Sequence, residues 1–314
     1  GSPGQALLLR YTGGASTLNG SAFYRQGLEL GNVRARTEAN ISFTFEQFDP
    51  YWEKITSSSA TLTTHSTFTT NYVAQRSTCG VWGTLGSGFN AAVYSIASAS
   101  DGRLYFGGAF TTASGGTACR VAQYNGTFSS VGNGMDTEVN TVAVGRDGFL
   151  YAGGIFNTAS NLTASMVARF SGTGWLAMAS GVTLPGGNGQ ANAISVNNEG
   201  NILVGGVFTQ GGGGGGAVAS CGIIKWNVSS STWQAACGGL RAIAPGDVPE
   251  IRGIAVAKNG DFWVTGTFVG PTGFSSCRIV KYSQSASSWQ PISGSGLSTN
   301  TNSGNGGLSI ALTS

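Results

Sequence analysis

Charged side chains are scarce, at 9% of the 314 residues, and histidine occurs once, at His65. The net charge of +3 comes from 16 basic and 13 acidic residues spread along the chain. No run of Lys or Arg makes the basic footprint that nucleic acid attracts, so none is expected as a partner. A single histidine excludes an ordinary multi-histidine metal centre. It also leaves a Ser-His-Asp triad dependent on His65, which has no nucleophile motif nearby. No apolar run approaches the ~20 residues that span a bilayer, so membrane insertion is not expected, and no secretory leader is visible. Among Cys79, Cys119, Cys221, Cys237 and Cys277 there is no CxxC pair, and the odd number leaves at least one thiol free. Nothing in this inventory asks for a cofactor.

What is abundant is glycine, 52 residues, within a chain that is 40% hydrophobic. Without a triplet period this is not collagen, and the Val, Ile, Phe, Tyr and Trp content is too high for disorder. Many short strands joined by tight turns suit the mixture.

Self-similarity decides the fold class. Four units occupy residues 93–138, 139–190, 191–250 and 251–306, and each has four parts. Part a is an alternating strand in which Ile96, Val142, Ile194 and Ile254 are followed by small residues. A turn follows at Asp101-Gly102, Asp147-Gly148, Glu199-Gly200 or Asn259-Gly260, where glycine supplies the positive φ of a tight hairpin. Part b reads "LYFGGAF", "LYAGGIF", "ILVGGVF" and "FWVTGTF", ending on Phe110, Phe156, Phe208 and Phe268. Its glycine pair predicts close approach of a neighbouring backbone. Part c is "RVAQY", "MVARF", "GIIKW" and "RIVKY", and part d opens with Phe128, Trp175, Trp233 or Trp289. Cys119, Cys221 and Cys277 share one repeat position with Ser165, and are read as small buried residues. Four antiparallel strands per repeat indicate an all-β β-propeller. A parallel solenoid is the rival, but its coils are shorter and need no such hairpins.

A fifth unit is split between the two ends. Residues 61–92 supply parts b, c and d, with Phe68 matching Phe110, Val73-Ala74-Gln75 matching Val121-Ala122-Gln123, and Trp82 matching Trp175. "GLSIALTS", residues 307–314, is a part a. Joined, the pieces close a five-bladed ring and remove its exposed strand edges. His65-Ser66 stands where other units carry the glycine pair, so this blade is the least regular. A longer chain carrying further blades is the alternative.

Catalytic candidates are few. Asp136 with Glu138, and Asp247 with Glu250, are carboxylate pairs of the type a glycosidase needs, but solvated turn residues of this kind are commonplace. No enzyme is expected. "QGGGGGGA" from Gln210 lacks the Lys-Ser/Thr and helix of a phosphate loop, and reads as a flexible b–c loop.

The repeats resemble β-propeller repeats of bacterial and phage surface proteins with the pattern LYxGGxF. The start of the chain, "LLLRYTGG", "FYRQGLELGN" and "ISFTFEQFDPYWEK", resembles the end of a phage distal-tail or minor-tail domain, which closes on a segment like Asp49-Pro50-Tyr51-Trp52. The resemblance implies two parts: residues 1–58, a β-rich, partial tail-type segment, and residues 59–314, the propeller. It further implies a virion tail-tip or extracellular location, with residues 1–58 contacting other tail proteins or copies of the same chain. A host-surface polysaccharide or protein is then the expected ligand of the propeller. A structural spacer and a secreted sugar-active enzyme are the alternatives.

In a propeller the b–c and d–a loops share one face, and here these are the long and variable ones. Recognition usually lives on such loops. Asn188, Gln190, Arg241, Asp247, Glu250, Phe274, Asn300 and Asn302 are the candidate ligand-binding residues.

Overall fold

The computed structural model describes residues 71–76, 82–213, 216–236, 238, 240–243, 246–271, 274, 277–292 and 310, and the backbone of four short strands nearer the start. No α-helix occurs among the described residues. The chain forms two compact units, residues 1–69 with 75–84, and residues 70–74 with 85–314.

In the first unit Asn19–Ser21 pairs in parallel with Ser42–Thr44. Tyr24–Arg25 pairs antiparallel with Trp52–Glu53. A strand covers Trp82–Thr84, and the Gln75 side-chain amide donates to the Thr84 carbonyl at 3.2 Å.

The second unit holds four four-stranded antiparallel sheets, one per repeat, each in the order a-b-c-d. Their strands are Val93–Ser98, Leu104–Gly108, Val121–Tyr124 and Phe128–Ser130 in the first sheet. Val139–Val144, Leu150–Gly154, Val167–Phe170 and Trp175–Ala177 make the second. Gln190–Val196, Ile202–Val207, Ile223–Asn227 and Thr232–Ala235 make the third. Glu250–Val256, Phe262–Val269, Cys277–Ser283 and Ser288–Gln290 make the fourth. The a strands of successive sheets lie beside one another. The architecture is β-propeller-like, and each sheet is one blade.

The core lies between blades rather than within one. A single apolar cluster joins Tyr105, Val121 and Val131 of the first repeat to Val139, Val142 and Ala152 of the second. The glycine pair makes that packing possible. A Cβ at Gly107 would stand 2.7 Å from Val139 Cγ1, and one at Gly153 would stand 3.0 Å from Ala191 Cβ. Both atoms belong to the a strand of the following blade. In the fourth blade the space is shifted by one strand: Thr265 replaces glycine on b, and Gly253 on a leaves room for its Oγ1.

The aromatic opening strand d fastens each blade to its predecessor. Trp175 Nε1 donates to the carbonyl of Val131 at 2.9 Å, Trp233 to Met178 at 2.9 Å, and Trp289 to Gly238 at 2.7 Å. Each acceptor lies just past the d strand of the blade before. Phe128 has the position but no N–H to give. Its ring packs against Phe89, Phe106 and Tyr124. The corresponding acceptor is Leu85, whose carbonyl receives Gly88 N–H at 3.2 Å, just as Val131 receives Gly134 N–H at 3.2 Å. Phe128→Trp is therefore expected to add one hydrogen bond, about 1 kcal/mol, and raise Tm by about 2–4 °C in a calorimetric scan. An unchanged or lower Tm would remove Leu85 from the repeating series.

The d–a linkers cross onto the b–c segment of the next blade. Phe89 bridges Ala113, Met135 bridges Ala159, and Arg241 bridges Val269, while Val182–Thr183 pairs with Gln210–Gly211. Two sequence expectations are corrected here. The "QGGGGGGA" segment is not a plain loop at its start, since Gln210–Gly211 also pairs with Val218–Ala219 in a three-stranded sheet. Gly211 is needed there because a Cβ would collide with Ile224 Cδ1 and approach Trp233 Cγ at 3.1 Å. Cys119 and Cys221 are half-buried free thiols rather than buried ones. The chain turns at that corner: Cys119 and Arg120 have φ of 32° and 75°, which keeps the position near the surface.

Candidate functional site

Because each d–a linker is stitched to the following b–c segment, both kinds of loop lie on one face of their blades. Between the third and fourth blades this face opens into a pocket of about 430 Å³. Its wall combines Leu184 from one linker, Ile243, Gly246, Asp247 and Val248 from the next, and Val207, Glu250 and Thr267 from strand ends. The strand pairings Gln190–Val207 and Glu250–Thr267 fix the rigid part of the rim. Branched aliphatic side chains thus surround two carboxylates.

The carboxylates differ in setting. Glu250 is half-buried and held by Arg252, Nη2 to Oε2, at 3.0 Å. Asp247 is exposed on the linker. The other acidic pair from the sequence is structural on one side. Asp136 Oδ1 accepts the N–H groups of Asn157 at 3.0 Å and Thr158 at 3.1 Å, locking a linker onto the second blade. Asn90 does the same in the first, accepting Thr111 at 2.9 Å and Thr112 at 3.0 Å. A shared role in an amide and a carboxylate is hydrogen-bond acceptance, not acid-base chemistry. Glu138 accepts from the Tyr94 hydroxyl at 3.4 Å. Burial and that neighbouring carboxylate raise the Tyr94 phenol above its ordinary range.

Of the residues singled out in the sequence, the pocket gathers Asp247 and Glu250. Gln190 begins the a strand beside it, and Asn188 is exposed on the linker leading there. Arg241 is engaged by its own scaffold, with Nε and Nη2 both 3.2 Å from the Gly270 carbonyl. Phe274 packs against the core of the fourth blade, with its ring partly buried. Asn300, Asn302 and His65 lie outside the described residues. The sequence missed the aliphatic part of the wall, Leu184, Val207, Ile243 and Val248, since apolar residues in a loop carry no signal of which cavity they share.

The opposite turns carry an acidic feature of their own. Asp261 Oδ2 receives Lys281 Nζ at 2.6 Å and Asn259 Nδ2 at 2.9 Å, and Oδ1 receives Gln284 N–H at 2.9 Å. The Lys281 ammonium, more than any other group, holds this carboxyl below its ordinary range. A carboxyl depressed in the folded state stabilises fully above its unfolded pKa of about 4 and loses that contribution as pH falls through the folded value. Urea midpoints between pH 5 and pH 2 are thus expected to fall less steeply in Asp261→Asn than in the parent. Identical slopes would show that the ion pair does not contribute.

Among the described residues no group of three or more His, Cys, Asp or Glu side chains is arranged to hold a metal ion. No helix among them is long and apolar enough to cross a membrane.

No protein family matches the sequence, and no curated protein matches it. Solved structures do. The extracellular domain of a one-component system from B. thetaiotaomicron is 13% identical with a TM-score of 0.41, covering 67% of this chain and 23% of that one. Virginiamycin B lyase from Staphylococcus aureus is 13% identical with a TM-score of 0.42, covering 70% of this chain and 62% of that one. PorZ, a surface component of the type-IX secretion system of Porphyromonas gingivalis, is 15% identical with a TM-score of 0.38, covering 63% and 27%. The match thus spans less than two thirds of each of these proteins. The expectation that the chain is not an enzyme is corrected by the lyase, a catalyst among the structural neighbours, and is withdrawn.

Proposed function

We propose that the chain is a recognition component displayed outside the cell or at a virion tail tip, whose blades present the pocket face to a host-surface polysaccharide. Residues 1–58 would dock it to other tail proteins or to copies of itself, as the Asp49-Pro50-Tyr51-Trp52 resemblance implies. Residues 59–314 would form a five-bladed propeller, with 307–314 as the inner strand of a blade completed by 61–92.

The observation that carries the recognition role is the pocket itself. It is built from two linkers of differing sequence held against strand ends of an otherwise repeating scaffold. Five-fold closure draws support from both ends of the second unit. At one end, Phe89 N–H donates to Asn71 at 3.0 Å, as Met135 does to Cys119 at 2.9 Å and Val182 to Ser165 at 3.0 Å. Tyr72 also has φ of 65°, matching the left-handed Arg120, Met166 and Arg278 that enter the c strands of other blades. At the other end, a Cβ at Gly253 would meet Ile310 N at 3.2 Å. Val142 N–H meets Ser95 Oγ at 3.0 Å and Ile194 N–H meets Thr141 Oγ1 at 3.2 Å from the same repeat position. Ile310 thus stands to the fourth blade as Val142 stands to the first.

The test is binding of the full chain to bacterial cells and their purified envelope polysaccharides, with Asp247→Ala beside the parent. Saturable binding weakened in the variant is the expected result. No binding across a broad panel would leave a structural spacer instead, and release of shortened glycan would make the pocket catalytic.

A further inference from the structure

In all four blades the ladder between strands a and b skips one residue at the same repeat position. The breaks fall between Val93 and Ser95, Val139 and Thr141, Ala191 and Ala193, and Ile251 and Gly253. The skipped residues are Tyr94, Asn140, Asn192 and Arg252. A bulge takes its residue out of the alternating pattern and re-aims the side chain along the sheet.

The side chains show where they are aimed. Asn140 Nδ2 donates to Asn192 Oδ1 at 3.2 Å and lies 3.4 Å from the Ala191 carbonyl. Asn192 Nδ2 donates in turn to the Ile251 carbonyl at 3.1 Å. Each therefore reaches the bulge of the next blade, and the four form one row across the inner strands. Arg252 continues the row and turns back to Glu250, which also lines the pocket. Tyr94 begins it, with its side chain 50% exposed and its hydroxyl toward Glu138.

Repetition of the scaffold accounts for the bulges but not for what stands on them. Where the scaffold dictates a side chain the blades agree, as in the buried Phe110, Phe156, Phe208 and Phe268. Along the row they carry a phenol, two carboxamides and a guanidinium. An asparagine has two donors and an acceptor with two lone pairs, so the internal bonds leave capacity unused. A half-exposed aromatic face beside amides and an ion pair is the chemistry that receives a sugar ring and its hydroxyls. Charge narrows the class. Glu138, Glu250 and Asp247 supply three carboxylates against the guanidinium groups of Arg252 and of Arg120, whose charge is felt at Tyr94, which leaves a net negative balance that disfavours polyanions.

We propose that this row of bulged residues is a saccharide-binding site for a neutral or amine-bearing glycan, one ring stacked on Tyr94 and others bonded by Asn140, Asn192 and the Glu250–Arg252 pair. This rests on the recognition role proposed above, and locates the ligand on the inner strands next to the pocket rather than on the long linkers.

The experiment titrates the full chain with dextran oligosaccharides, chitosan oligosaccharides and polygalacturonate. The parent is compared with Tyr94→Ala, Tyr94→Phe, Asn140→Ala and Asn188→Ala, and melting curves verify folding. Saturable binding of a neutral or amine-bearing probe is expected, with polygalacturonate at least tenfold weaker. Tyr94→Ala and Asn140→Ala should each weaken it about tenfold, while Tyr94→Phe and Asn188→Ala keep most of it. Undiminished affinity in both Tyr94→Ala and Asn140→Ala overturns the site, and the recognition role survives if cell binding persists. Preference for polygalacturonate, or binding of none of the three probes, overturns the ligand class. Loss of cell binding by the parent as well would remove the recognition role itself.

Discussion

Trp233→Ala is expected to destabilise the second unit by about 3–5 kcal/mol, the cost of truncating a large buried aromatic. Trp233 is 6% exposed and meets Trp226 edge-on at 5.0 Å between ring centres. It lines the same cluster as Ile224, Met178 and Val182, which come from two consecutive repeats. Truncation would open a cavity between blades and strip the Met178 carbonyl of the Nε1–H bond at 2.9 Å. That carbonyl keeps the N–H of Gly181 at 3.0 Å, so the larger part of the loss is packing. Trp233→Phe separates the two: it retains a ring, loses the donor, and should cost about 1 kcal/mol. Urea unfolding of both variants measures the difference. A loss below about 1 kcal/mol in Trp233→Ala would mean that the blades do not share a core there.

Much of this lattice was legible in the sequence because its requirements are severe. Only a small residue fits where Val139 of the next blade approaches Gly107, so the glycine pair appears in three of the four complete repeats. The turn residues Gly102, Gly148, Gly200 and Gly260 have φ between 80° and 87°, so they too recur. The departure at Thr265 looks like a broken motif until Gly253 is found opposite it.

The bulges left no trace in the sequence. A bulge is a property of the ladder, and its occupants Tyr94, Asn140, Asn192 and Arg252 share no chemistry that would reveal a common place. The pocket was half legible. Asp247 and Glu250 stood out as rare charges on a variable linker, whereas Arg241, chosen on the same grounds, spends its guanidinium on the Gly270 carbonyl. Whether a loop cation serves a ligand or its own scaffold depends on carbonyls that are remote in sequence.

Five-fold closure requires that the repeating contacts of the second unit continue past the fourth blade. The most direct test is the melting temperature of the full chain against a variant lacking residues 307–314. Ile310 would then no longer meet Gly253 on the inner strand of the fourth blade, and the proposed fifth blade would lack its inner strand. Removal of a whole strand from a cooperative ring should cost several kcal/mol, which at about 2–4 °C per kcal/mol lowers Tm by more than about 10 °C. A Tm within about 2 °C of the parent would contradict five-fold closure.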